Sequence, residues 1–252
     1  MRKVSSARRV IDTLRMIIDL FGTKGNTVQP MAHGYTNRTV GDSTTVVKAY
    51  NGPQADARRE RETTVLQALH GRFPVPPVLA TDGHSLTLGF VAGTHAQDLI
   101  DAGHAADVLA ACGTVLRRLH SLPFDVPLPD QLGRDNATGT LVHGDFGPNN
   151  MLLNPETFEV TALLDWEWAH IGDPIEDLAW CEWIIRMHHS AEVGKMAHFF
   201  TAYGQHPAWV TRRAAMIAQC RLLLDFVRAW DANSAGVAKW QEWLLITENW
   251  SE

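Results

Sequence analysis

The sequence predicts an α+β protein in two lobes, a small β-rich N-terminal lobe and a larger, mainly helical C-terminal lobe. Three observations carry this reading. Strand-like runs with turn residues between them fill residues 28–50 and 73–93. From about residue 104 the apolar spacing becomes helical, and β character returns only across 140–165. The change of pattern falls at residues 89–93, which divides the chain into units 1–92 and 93–252 with a cleft between them.

In order along the chain, Val10, Ile11, Leu14, Ile17, Ile18 and Phe21 make one face of an amphipathic helix. Asp12, Arg15 and Asp19 interrupt any signal-peptide core there. MAHGYTNRTVGDSTTVVKAY reads as two strands turning near Gly41-Asp42. A helix over about 55–71 follows, with Val65, Leu66 and Leu69 on one face and Gly71 at its end. A short hairpin then turns at Asp82-Gly83. Val108, Leu109, Cys112, Val115, Leu116 and Leu119 form one face of a helix that stops near Pro123. Residues 140–165 supply a strand, a loop and a hairpin turning at Asn154-Pro155. Asp173 as N-cap, Pro174 and Glu176 then open a helical remainder.

Composition narrows the classes. Hydrophobic residues at 45% and charged residues at 20% suit a globular core, and no apolar run reaches the length of a membrane span. Three widely spaced cysteines with no CxxC pair point to a reduced, cytoplasmic protein. The adjacent His188 and His189 read as solvated residues. Residues 1–92 hold 12 Lys and Arg against 7 Asp and Glu, whereas 93–252 hold 10 against 21. An acidic half argues against a nucleic-acid partner, which would want a basic stripe. It suits a cationic small molecule, and equally a merely soluble surface.

The chemistry concentrates in HGDFGPNN, starting at His143, and LLDWEWAHIGDP, starting at Leu163. A strand delivers Asp145 to a loop, Asn150 follows five residues later, and the hairpin returns the chain to Asp165. Two carboxylates and an amide supply hard oxygen ligands for Mg²⁺ and a base for a hydroxyl. The same residues leave open a hydrolytic metal centre of His143, Asp145 and Asp165, or an Asp145 that only caps a turn. Lys48, ending an apolar strand, is either an edge-strand gatekeeper or a cation for phosphate. Glu62 is preferred to Glu60 as its partner, because Leu66 and Leu69 place Glu62 on the inward face.

Taken together, these motifs resemble the aminoglycoside phosphotransferase and choline kinase-like family, relatives of the protein kinases, over about residues 30–185. HGDFGPNN matches its HxDxxxxN loop, LLDWE its metal-binding segment, and GDPIEDLA the segment after it. The resemblance implies a protein-kinase-like fold with Asp145 as the catalytic carboxylate and Asn150 and Asp165 as magnesium ligands. It implies Lys48 on the nucleotide phosphates with Glu62 behind it. HGYTNRTV, with Gly34, would cover the triphosphate, and Gly89 and Val91 would form the hinge that receives the base of ATP or GTP. His143 and Asp177 would brace the loop, with Asp177 hydrogen-bonded to its backbone. His120 reads as a packed helix-end residue.

Two departures matter. The metal segment is Asp165-Trp166-Glu167 rather than Asp-Phe-Gly, which removes backbone freedom. Glu167 is either a metal or substrate contact or a surface carboxylate. The chain also reaches Gly172-Asp173-Pro174 a few residues later, with no room to dock a peptide. The expected activity is therefore a small-molecule kinase acting on an aminoglycoside-like or other antibiotic, or on choline, a sugar or an amino alcohol. A nucleotide-holding pseudokinase and a metal hydrolase are the rivals. Glu182, Trp183, Asp225 and Trp230 are the candidate acceptor-pocket residues, in a fairly open site.

Overall fold

The computed structural model describes residues 29–30, 38–129 and 139–252. The helix expected over 10–21 and most of the HGYTNRTV loop, Gly34 included, lie outside the described residues.

A five-stranded antiparallel sheet forms the first lobe, with β1 (Gln29–Pro30), β2 (Arg38–Gly41), β3 (Thr45–Ala49), β4 (Val78–Thr81) and β5 (Ser85–Gly89) in the order β1-β2-β3-β5-β4. Both expected turns are closed by aspartates. Asp42 Oδ1 accepts the amides of Thr44 and Thr45, each at 2.8 Å, and Asp82 Oδ1 accepts those of His84 and Ser85, each at 2.7 Å. Strand β3 is central. Lys48 pairs with Thr39 on one side and Leu86 on the other, which removes the edge-strand reading of that lysine. Helix α1 (Ala55–Leu69) packs Val65, Leu66 and Leu69 into the core and buries Arg58, Arg61 and Glu62 in its first half.

Beyond Phe90, β6 (Thr94–His95) pairs with a hairpin of the second lobe, and helical turns over 96–104 lead into α2 (Ala105–His120). The whole run Ala96–His120 has the length and hydropathy to cross a membrane, but Val108, Leu109, Cys112, Leu116 and Leu119 of that run are core residues. Gly113 lets α2 approach α4 (Met196–Tyr203), since a Cβ there would lie 2.2 Å from the Phe199 carbonyl oxygen. Strand β7 (Thr140–Val142) precedes the loop, and β8 (Met151–Leu153) and β9 (Val160–Leu163) form the expected hairpin. The sequence reading missed β10 (His170–Gly172), which pairs antiparallel with β7 and holds the two chemical segments side by side.

Helix α3 (Ile175–His188) opens as expected: Asp173 Oδ1 accepts the Ile175 amide at 2.9 Å, and Glu176 Oε1 accepts the Asp173 amide at 3.1 Å. Helices α5 (Trp209–Trp230) and α6 (Ala235–Glu248) complete the helical lobe and pack a tryptophan-rich second core against α3. All three cysteines are buried free thiols.

Candidate active site

The cleft is built from strand β3, helix α1 and the segments around Asp145 and Asp165. Lys48 Nζ donates to Glu62 Oε2 at 2.6 Å and to Asp165 Oδ1, and lies 3.8 Å from Glu167 Oε2. Burial alone would lower the Lys48 pKa. The charges of Asp165 and Glu62 override it and hold the ammonium well above its ordinary value. Burial in turn pushes Glu62 and Glu167 up, against the pull of Lys48. Tyr50 donates to the same Glu62 oxygen at 2.5 Å, so Glu62 is fixed from two sides. Glu62, Asp165 and Glu167 are close enough to enclose an ion, and in this arrangement the ammonium of Lys48 sits among them.

Glu167 is no surface carboxylate. It is buried, and Arg58 Nη1 donates to its Oε2 at 2.8 Å, while Arg61 Nη1 donates to its backbone carbonyl at 2.7 Å. Two arginines of α1 thereby clamp the turn that carries Asp165. Asp165 itself stands at φ 66°, a left-handed conformation that an L-residue holds only when its surroundings impose it. The sequence signal for this clamp was present: Arg58 lies one helical turn before Glu62 on the inward stripe.

The loop is held from beneath. Asp177 accepts the backbone amide of His143 at 2.8 Å with Oδ2 and that of Gly144 at 2.9 Å with Oδ1. This is the brace the sequence predicts. His120 is more than a packed helix end, since Nε2 meets Asp177 Oδ2 at 3.1 Å and Nδ1 meets the Tyr203 hydroxyl at 2.9 Å. His143 Nε2 donates to the Leu164 carbonyl at 2.8 Å, and its Nδ1 accepts the Asp145 amide at 3.2 Å. Burial lowers its pKa, so it stays neutral with both ring nitrogens engaged. That occupancy removes His143 from any hydrolytic metal centre. Gly144 needs its φ of 80° and its missing side chain, because a Cβ would lie 2.4 Å from the Trp168 carbonyl oxygen.

Asp145 is fixed by two donors. Trp180 Nε1 donates to Oδ1 at 2.7 Å and Asn150 Nδ2 donates to Oδ2 at 2.9 Å. Burial, then the charge of Asp165, raise the carboxyl to about 7 against these two hydrogen bonds. Asn150 Nδ2 also donates to the Asp145 carbonyl at 2.8 Å, which leaves the amide oxygen as the group Asn150 can offer a cation. An amide oxygen and the partly exposed Asp165 carboxylate are hard donors of the kind Mg²⁺ takes, so the residues fit that ion. Trp180 was not among the sequence candidates. It stands three residues after Asp177 on the same helix face, a spacing that aims both at the loop.

Two cavities meet here. The first, about 280 Å³, is lined by Lys48, Glu62, Gly89, Val91, Asn150 and Asp165, so it unites every described residue assigned to nucleotide or metal. Asp145 opens instead into the second, about 630 Å³, and Asn149 lines both. Of the acceptor candidates, Trp183 and Trp230 line this second cavity. Glu182 and Asp225 do not: Glu182 is buried against Arg186 and Arg212, and Asp225 pairs with Arg228 in solvent.

Comparison with known proteins agrees with this geometry. The family model described as "Phosphotransferase enzyme family" matches residues 27–138 and 128–216. Among solved structures, the GDP complex of wild-type aminoglycoside 2'-phosphotransferase-IIIa superposes with a TM-score of 0.72 at 14% identity, over 94% of this chain and 98% of that one. The streptomycin–ATP ternary complex of APH(2'')-IIa gives 0.67 at 15% identity, over 93% and 95%. APH(4)-Ia with ADP and hygromycin B gives 0.65 at 17% identity, over 92% and 96%. At such identities the likeness is one of fold. Curated relatives share a short segment: acyl-CoA dehydrogenase family member 10 of Mus musculus is 51% identical over 53 residues, and member 11 of Homo sapiens 44% over 52. Those segments are 21% of this chain, which spans 5% and 6% of the two relatives' own length. Family match, fold and cleft converge: the chain belongs to the phosphotransferase enzyme family and has the protein-kinase-like fold.

Proposed function

We propose that the protein transfers the γ-phosphate of ATP or GTP, with Mg²⁺, to a hydroxyl of a small molecule. The observation that carries this is the junction of the two cavities. Lys48 and Asp165 face one, Asp145 faces the other, and Asn149 and Asn150 form the partition. In this reading Lys48 binds the triphosphate and Glu62 orients it. The amide of Gly89 is bonded to Pro77 O at 2.8 Å and that of Phe90 to Thr44 O at 2.9 Å, so a base at the hinge meets Val91 next. Asn150 and Asp165 would hold the magnesium, which when bound neutralises charge on the phosphates. Asp145 orients the acceptor hydroxyl and receives its proton as the oxygen joins the γ-phosphorus and the nucleoside diphosphate leaves.

Residues 1–92, with Gly34 over the phosphates, form the nucleotide lobe in this proposal, and 93–252 the catalytic and acceptor lobe. The three free buried thiols accord with a cytoplasmic setting. The aminoglycosides of the structural neighbours keep an antibiotic, and hence resistance, among the candidate roles, beside a metabolite such as choline, a sugar or an amino alcohol. The test is Asp145→Ala. It should cut transfer by about 10²–10⁴-fold while Mg·nucleotide still raises the melting temperature. Near-normal turnover of the true acceptor by this variant would sink the assignment.

A further inference from the structure

The second cavity says what kind of acceptor it takes. Its walls are Trp168, Trp183, Phe226, Trp230, Trp240 and Trp243, contributed by the segment after Asp165 and by helices α3, α5 and α6. Among the described lining residues Asp145 is the one carboxylate, and both its oxygens already receive hydrogen bonds. Nearby polar groups offer an ammonium little. Gln219 Nε2 is bonded to the Gly144 carbonyl at 3.0 Å, His189 Nδ1 lies 3.2 Å from Asp101, and Glu242 faces Lys239 at 2.9 Å. Among the described lining residues a polycation meets one carboxylate, Asp145, whose two oxygens are already hydrogen-bonded.

A tryptophan cage for a quaternary ammonium is the other use of such residues. The ring geometry argues against it. Trp180 and Trp183 stack on each other at 4.3 Å and 6°, and Trp240 lies within 15° of the Trp183 plane. Their faces are turned to one another, and the Trp243 face already holds the Lys239 ammonium at 5.3 Å. A space of about 630 Å³ also exceeds what a small ammonium alcohol fills, and lies in the range of pockets for whole drug-sized ligands.

We propose that the acceptor is an uncharged alcohol on a bulky, ring-bearing apolar body, with its hydroxyl at Asp145 and its body against the Trp183–Trp240–Phe226 wall. This rests on the phosphotransfer reading above. The reaction keeps the same balance: the alcohol oxygen bonds to the γ-phosphorus, the bond to the β-bridging oxygen breaks, and the proton passes to Asp145.

The test is a panel assayed by nucleoside diphosphate release with the full chain and Mg·ATP or Mg·GTP. Phenylalkanols and terpenoid alcohols stand on one side, kanamycin and choline on the other. The best neutral alcohol is expected to exceed both cations in kcat/KM by about 100-fold, the equivalent of one well-buried ring. Trp240→Ala should raise its KM about tenfold with the nucleotide KM unchanged, and Trp230→Ala, at the exposed rim, should do so to a smaller degree in a protein of unaltered melting temperature. Preference for kanamycin or choline, or wild-type acceptor KM in both variants, overturns the inference while leaving phosphotransfer intact. No phosphorylation of any alcohol on either side overturns both.

Discussion

Trp180→Phe isolates one hydrogen bond at the centre of the site. The substitution keeps an aromatic ring beside Trp183 but removes the indole N–H that reaches Asp145 Oδ1 at 2.7 Å. A hydrogen bond to a charged group is worth roughly 1.5–3 kcal/mol, and the edge of Asp145 that solvent reaches recovers part of it, leaving about 1–2 kcal/mol. At 1.36 kcal/mol per pKa unit, the carboxyl, already raised to about 7, should rise by about one unit further. A base must be ionised to take the hydroxyl proton, so activity is lost as pH falls through that pKa. The acid limb of kcat/KM, measured at saturating Mg²⁺, should therefore move about one unit towards alkaline pH. Turnover at pH 7 should drop about fivefold and recover most of the way by pH 9, with an unchanged nucleotide KM. A variant that loses activity equally at every pH, or keeps the wild-type limb, would refute the positioning role.

Other perturbations follow from the same network. Lys48→Met should raise the nucleotide KM and destabilise the protein by about 3–5 kcal/mol, because three clustered carboxylates lose their cation. Burial raises Glu62 and Glu167, so they take up protons readily as pH falls, and the loss seen in thermal melts should grow with pH. Glu167→Ala strands the buried Arg58 and should cost a similar amount, whereas replacing Arg58 and Glu167 together should cost less than the two single changes combined. Asp145→Asn should stabilise the nucleotide-free protein while abolishing turnover. Its carboxyl is raised from 3.8 to about 7, so the folded state holds the extra proton across that window and loses stability as pH rises through it. Removing the charge should return about 1–3 kcal/mol at pH 8 and nothing near pH 3, read by denaturant unfolding.

Much of the site was legible because its residues are close in sequence or tied to rigid turns. Asp145 and Asn150 share one loop, and Asp165 lies at the end of the adjoining hairpin, so their convergence needed no tertiary knowledge. Asp42 and Asp82 announced their turns by side-chain chemistry that acts within three residues. What stayed hidden depends on distant pairs. Glu167 stayed open between a contact and a surface group because its partner Arg58 stands 109 residues earlier; the inward stripe marks Arg58, but nothing local marks Glu167 as buried. Strand β10 is three residues long and pairs across a 28-residue separation in the register His170–Val142, too short for a periodic signal. The acidic balance of the C-terminal half suited a cationic acceptor and a merely soluble surface equally, because balance over a surface does not say what lines a cavity. Glu182 turns to Arg186 and Arg212, Asp225 to Arg228, and tryptophans from three helices line the space instead.

The most direct test of the central claim is mass analysis of an acceptor panel after incubation with Mg·ATP or Mg·GTP, the wild-type protein run beside Asp145→Asn. The account predicts a phosphorylated alcohol with an equal amount of nucleoside diphosphate from the wild type, and none from the variant, although both bind nucleotide. Phosphorylated product from Asp145→Asn at the wild-type rate, or nucleotide-independent chemistry on the same acceptors, would contradict it.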